Sequence, residues 1–290
     1  MEPRFHRIGN RPILGAMRAW LAVLMAPVLI ASAAAEPIHF RSATWPPTPL
    51  QLRLATASGD TIAERASVSL VGELHRPSGD GPFPAVVLLH PCRSQLPIEA
   101  QRRDAERYTA LGYAVLAVDS LGARGVSEGC AGGGASVDGV MDAYGALVHL
   151  ASLPFIDPDR IALVGYSFGA SIALSAIEFD GPERLFDRQF IAAIAYYPYC
   201  PEKLAVSVPT VILAGALDDW APVRSCQQMM GRRTGLGAPM KLVVYPDARH
   251  AFNLPLPPRR SYGYQLEYNE AADTAAWSET TAALRSAFGR

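Results

Sequence analysis

Two stretches of the chain match G-x-S-x-G: Gly165-Tyr166-Ser167-Phe168-Gly169 and Gly125-Val126-Ser127-Glu128-Gly129. The pattern marks a serine on a sharp strand-to-helix turn, with its hydroxyl presented to attack a carbonyl carbon. The turn needs a strand before it, a helix after it and small neighbours. Ser167 has all three. The apolar run Ile161–Val164 precedes it, Ala170-Ser-Ile-Ala-Leu-Ser-Ala follows, and Gly165, Gly169 and Ala170 flank it. Its position at the start of a helix also aims backbone N–H groups at an oxyanion. Ser127 lies in a glycine-rich loop with neither element, so its match is chance. Ser167 is the expected nucleophile.

A serine nucleophile needs a histidine base, and the histidine needs a carboxylate to orient it. Beyond residue 35 the histidines are His39, His75, His90, His149 and His250. In this architecture the order is nucleophile, acid, histidine, and only His250 follows Ser167. His250 is the expected base. The acid should follow a strand between the two. Thr210–Ala214 reads as that strand, and Asp218 and Asp219 stand in the loop after it. Gly-x-x-Asp spacing from Gly215 favours Asp218. Asp219 is the alternative, with capping of the helix near Pro222 as its other use. Asp247 is a weaker rival, three residues before His250. Two N–H donors complete the expected site: Phe168, next after the nucleophile, and Cys92, because Pro91 has no N–H to give.

These residues need a frame. Apolar runs at 68–74, 85–89, 113–118, 160–164, 190–195, 210–214 and 241–244 read as strands. Residues 50–56 are expected to pair with the first. Helical spacing covers 98–111, 136–152, 168–178, 222–232 and 270–287. Strand and helix alternate, which predicts a mostly parallel sheet with helices on both faces and ligand binding beyond the carboxyl ends of the strands. The expected organisation is a signal peptide over 1–35, an extended lead-in over 36–49, and one α/β domain over 50–290.

The start of the chain supports that division. A basic stretch leads into the apolar run Trp20–Ile30 and the small residues Ala31–Ala35, as in a cleaved signal peptide. Met17 is an alternative start. The apolar run is shorter than the roughly 20 residues a membrane span needs. The protein is therefore expected in the periplasm or secreted, without membrane attachment after cleavage. Removing the four arginines and one glutamate of residues 1–35 leaves 22 basic and 26 acidic residues, a net −4. That balance gives no electrostatic footprint for nucleic acid. The cysteines, Cys92, Cys130, Cys200 and Cys226, are even in number, and sequence alone allows three pairings.

Together the stretches VVLLHPC (86–92), VDSLGARGVSEGC (118–130), IALVGYSFGA (161–170), GALDDWAP (215–222) and YPDARHAF (245–252) resemble the dienelactone hydrolase family. The resemblance covers roughly residues 50–288. It implies the α/β-hydrolase fold, a Ser167–Asp218–His250 triad, no cofactor or metal, and hydrolysis of a small-molecule ester or lactone. The chain departs from the family at three places. Serine replaces the family's elbow cysteine, and Pro91 stands where a family glutamate follows the oxyanion-loop histidine. The arginine expected shortly after the catalytic histidine is missing from Ala251–Pro255. The expected substrate is thus a broader carboxylic ester, with Arg124 and His90 as expected substrate contacts. In such a fold the loops carrying Cys92 and Cys130 leave neighbouring strands, as do those leading to Cys200 and Cys226. The expected bridges are Cys92–Cys130 and Cys200–Cys226. A peptidase or acyltransferase on the same fold, or a binding protein that keeps it, are the competing functions.

Overall fold

The computed structural model of the protein describes Met1 and residues 35–62, 66–93, 98–130 and 138–289. The expected signal peptide lies, but for Met1 and Ala35, outside these described residues.

Eight strands form one sheet: β1 (Ala35–Arg41), β2 (Ser69–His75), β3 (Phe83–Leu89), β4 (Ala114–Asp119), β5 (Ile156–Tyr166), β6 (Ala193–Tyr196), β7 (Thr210–Gly215) and β8 (Met240–Tyr245). Their order is β1-β2-β4-β3-β5-β6-β7-β8, and β2 alone runs against its neighbours. The chain leaves β3 to build β4 on one side, then returns to build β5 on the other. A crevice opens where the order reverses, beyond the carboxyl ends of β3 and β5. The expected oxyanion loop follows β3 and the expected nucleophile follows β5.

The inner strands are apolar on both faces because both are covered. Along β3, Val87 and Leu89 face one core with residues of α3 (Gly139–Ala151), α4 (Phe168–Ala176) and α5 (Arg224–Gly231). Val86 and Leu88 face the other with residues of α2 (Ile98–Ala110) and α6 (Glu270–Phe288). The parallel sheet with helices on both faces, and the expected helices, are all present.

The amino-terminal region differs from expectation. Residues 50–56 do not pair with β2; they lie in a helix, α1 (Pro49–Ser58). The partner of β2 is β1, drawn from the expected lead-in, so the lead-in belongs to the sheet. Leucines alternate at 50, 52 and 54, a spacing a strand also shows, but local capping decides the outcome. Thr48 accepts a hydrogen bond from the Gln51 amide, and the Gln51 side chain accepts one from the Thr48 amide. Pro49 is preset for a first helical turn, and Gly59 closes the helix at φ 71°. All three leucines are exposed.

Candidate active site

Backbone geometry explains the two glycines around Ser167. The serine sits between β5 and α4 at φ 53° and ψ −113°, a region L-residues rarely occupy. Holding it there costs roughly 1–3 kcal/mol, which the surrounding packing must offset. A Cβ on Gly165 would come within 2.2 Å of the Gly169 carbonyl oxygen. One on Gly169 would meet the Leu89 and His90 carbonyl oxygens at 2.5 and 2.6 Å. The tight turn thus presses against the end of β3 and leaves no room for side chains. Ser127 stands exposed on a loop, and among the described residues no strand leads into it and no helix starts from it.

Ser167 Oγ lies 2.9 Å from His250 Nε2, and His250 Nδ1 lies 2.8 Å from Asp218 Oδ2. His250 and Asp218 are only 3% and 5% exposed, so water does not compete for these contacts. The other Asp218 oxygen, Oδ1, accepts from the Trp220 and Ala221 amides at 2.9 and 2.8 Å. Those two donors fix the carboxylate. Of the three acids that the sequence left in competition, Asp218 is the one brought to His250. Asp219 turns away and accepts from the Gln265 amide at 3.2 Å, while Asp247 is exposed. The imidazole lies between two rings, with Tyr197 edge-on at 4.7 Å and Trp220 at 4.9 Å. Tyr197 is itself tied to Asn253 through its hydroxyl, at 2.6 Å. Such an arrangement can move a proton from serine to imidazole and hold the imidazolium that results.

On the opposite wall, Cys92 lines the same cleft as Ser167. Among the described residues, no intramolecular acceptor takes the amides of Cys92 or Phe168. Several contacts among the described residues hold the loop carrying Cys92. Cys92 is disulfide-bonded to Cys130 with Cα atoms 5.3 Å apart, and its carbonyl accepts from the Gly129 amide at 2.6 Å. Next to it, Arg93 Nε donates to Glu128 Oε2 at 2.8 Å. The second bridge, Cys200–Cys226, has Cα atoms 4.9 Å apart and ties the segment after β6 to α5. Both expected pairings are present, because β3 pairs with β4 and β6 with β7.

The sequence pattern that defines the dienelactone hydrolase family matches residues 70–288. The chain belongs to the dienelactone hydrolase family. Among curated proteins, esterase FrsA of Klebsiella pneumoniae is 33% identical over 116 residues, covering 40% of this chain and 27% of that protein. The chain thus spans only about a quarter of that relative's length. An uncharacterized Mycobacterium tuberculosis protein is 27% identical over 234 residues, 73% of this chain and 79% of its own. Two solved structures share the fold. A dienelactone hydrolase-like promiscuous phosphotriesterase from metagenomic libraries superposes with a TM-score of 0.62 at 19% identity, covering 87% of this chain and 98% of its own. A thermophilic esterase of Thermogutta terrifontis gives 0.58 at 17% identity, covering 76% and 88%.

Two substrate contacts expected from the family resemblance lie elsewhere. Arg124 does not face the cleft. Its guanidinium makes two hydrogen bonds to Asp142, at 2.8 and 2.9 Å, and a third to the Ser120 carbonyl at 2.6 Å. Burial pushes the Asp142 carboxyl above its ordinary range, and the Arg124 guanidinium opposes that push. Arg124 is thus committed to a structural pair that joins the loop after β4 to α3. Its replacement by leucine strands a buried carboxyl and should destabilise the protein by about 3–5 kcal/mol. Urea unfolding of Arg124→Leu measures this; an unchanged midpoint would contradict it.

His90 likewise does not line the cleft. Burial lowers its pKa, and the neutral ring bridges two loops. Nδ1 donates to the Pro91 carbonyl at 2.5 Å, and Nε2 accepts from the Ser120 amide at 3.3 Å. It positions the Cys92 loop from beneath.

Sequence reasoning missed the far wall of the cleft. A hairpin, β9 (Arg259–Ser261) and β10 (Tyr264–Leu266), lies over the histidine loop. Its two turn residues, Tyr262 and Gly263, both have positive φ, 52° and 87°, as a type I′ turn requires. Asparagine-glycine would have announced the turn; tyrosine-glycine does not. Tyr264 stacks on Trp220 at 5.3 Å, and Leu266 bridges to His250. The cleft so enclosed has a volume of about 470 Å³ including its mouth, with Trp220, Tyr197, Leu254 and Leu266 among its walls.

Proposed function

We propose that this family member is an exported serine hydrolase that cleaves carboxylic esters or lactones through an acyl-enzyme on Ser167. The observation that carries the reading is the unbroken contact chain from Ser167 Oγ through His250 to Asp218, on a strained elbow at the sheet's switch point.

In this reading His250 takes the hydroxyl proton on Nε2 as Ser167 Oγ attacks the carbonyl carbon. Asp218 keeps the other ring proton on Nδ1 and stabilises the imidazolium. The negative charge on the carbonyl oxygen falls to the Phe168 and Cys92 amides. Each such donor typically contributes about 3 kcal/mol to the transition state. His250 then passes its proton to the departing alcohol, and water repeats the cycle to release the acid. The apolar, aromatic cleft suits an uncharged organic group beside the ester. Two disulfides and the sequence pattern of residues 1–35 support export. Among the described residues, no helix is long and apolar enough to cross a membrane.

A screen of p-nitrophenyl esters of rising acyl length tests the reading. Release of nitrophenol with saturation kinetics is the expected result. No release, and no reaction with a fluorophosphonate, would make the chain a binding protein instead. Acyl transfer to an added amine in preference to water would make it a transferase.

The Cys92–Cys130 bridge gives a second test. Cys130→Ala should lower kcat with little change in KM, because the loop that supplies an oxyanion donor is loosened. Cys226→Ala should lower stability by about 2–4 kcal/mol and leave kcat near that of the parent. Equal losses of kcat in both variants would remove the special role given to the first bridge.

A further inference from the structure

Beyond the reaction cleft, a second, tighter pocket lies against the β9–β10 hairpin, about 190 Å³ including the open space at its mouth. The two spaces share four wall residues: Ala251, Leu254, Arg259 and Leu266. The second continues along Leu256 and Pro257 to Tyr268. We infer that the Leu266 side chain is the partition between them and sets how large an alcohol the substrate carries. The inference rests on the ester-hydrolase reading above.

Chemistry decides which part of the ester points there. Ser167 Oγ bonds to the carbonyl carbon, and the bond from that carbon to the alkoxy oxygen breaks. The leaving oxygen takes the proton held on His250 Nε2, so it must come within hydrogen-bond reach of that nitrogen. Every residue of the shared wall follows His250 in the chain, on the histidine loop or the hairpin that covers it. The oxyanion donor Cys92, with Arg93 and Glu128, comes from the loops after β3 and β4, and none of the three lines the second space. The alcohol therefore leaves along the histidine side, toward Leu254 and Leu266, and an alcohol with a longer chain meets the partition.

Of the two leucines, Leu266 is the one whose side chain can change without moving the site. Leu254 is buried, and its amide closes the turn after His250 by donating to the Ala251 carbonyl at 2.9 Å. Leu266 is half-buried, and its strand is held by contacts of the main chain. The Glu267 amide donates to the His250 carbonyl at 3.4 Å, and the Gln265 amide to Asp219 at 3.2 Å. A smaller side chain keeps these and joins the two spaces.

Two ester series test the assignment, measured as kcat/KM on the whole protein. One holds the acid at butyrate and lengthens the alcohol from ethyl to octyl. The other holds p-nitrophenol and lengthens the acid. A single methylene in an apolar pocket changes kcat/KM by about 10- to 200-fold at most. Leu266→Ala should raise the hexyl-to-ethyl ratio at least about tenfold, by the same reasoning, and leave the chain-length dependence of the acyl series unchanged whatever the absolute rates. Leu266→Phe should shift the alcohol series the opposite way. Fluorophosphonate labelling of each variant checks that the serine stays reactive. The assignment is overturned if neither variant moves the alcohol series, or if the acyl series moves in its place. A parent protein that neither hydrolyses esters nor takes the label would refute the hydrolase reading itself.

Discussion

Ser167→Ala is expected to lower ester turnover by about 10⁶-fold, the scale seen when a serine nucleophile is removed from an intact triad. The elbow makes the change clean. Alanine keeps the Cβ, the strained φ of 53° and the Ser167 amide's bond to the Tyr196 carbonyl at 2.9 Å. His250 stays held by Asp218 and between its two rings. The variant should therefore fold, melt near the parent temperature and still bind substrate. Ser127→Ala, on the exposed loop, should keep nearly full activity. Initial rates with a p-nitrophenyl ester measure both. An active Ser167→Ala enzyme, or an inactive Ser127→Ala enzyme, would reverse the assignment of the two motifs.

Asp218→Asn is expected to lower kcat by about 10⁴, as expected of a base held in the wrong tautomer. The hydrogen bonds at Asp218 say why. The Trp220 and Ala221 amides both donate to Oδ1, so an asparagine must place its oxygen there. Its NH₂ group then faces His250 Nδ1, where the carboxylate oxygen stood. Nδ1 becomes the acceptor, Nε2 carries the proton, and the ring can no longer take one from Ser167. Asp219→Asn should cost little, because an amide oxygen still accepts from the Gln265 amide. Steady-state kinetics of the two variants separate them. A larger loss in Asp219→Asn would place the functional acid one residue later.

The elbow was legible in the sequence because it depends on short-range sterics. Gly165 and Gly169 touch main-chain atoms within one turn or at the end of β3, and no other residue fits. The order of strands gave the disulfide pairs in the same way, since neighbouring strands deliver neighbouring loops. The adjacent acids were harder. Asp218 and Asp219 differ only in direction, and that direction is set by two amides of the loop itself. Long-range partners were not legible. Arg124 meets Asp142 only because α3 packs against the loop after β4, and nothing in the local pattern announces it. Residues 50–56 carried two conflicting signals, leucine alternation and a capping box. The capping box prevailed because the leucines had no core to face. The hairpin at 259–266 gave no apolar alternation, because its strands are three residues long and its outer face meets solvent.

The most direct test is to treat the whole protein with a fluorophosphonate, digest it and locate the adduct by mass spectrometry. Ser167 is predicted to carry one phosphonyl group, with turnover lost in proportion to labelling. An adduct on the peptide containing Ser127, or a protein that hydrolyses esters yet leaves Ser167 unlabelled, would contradict the assignment of Ser167 as the nucleophile.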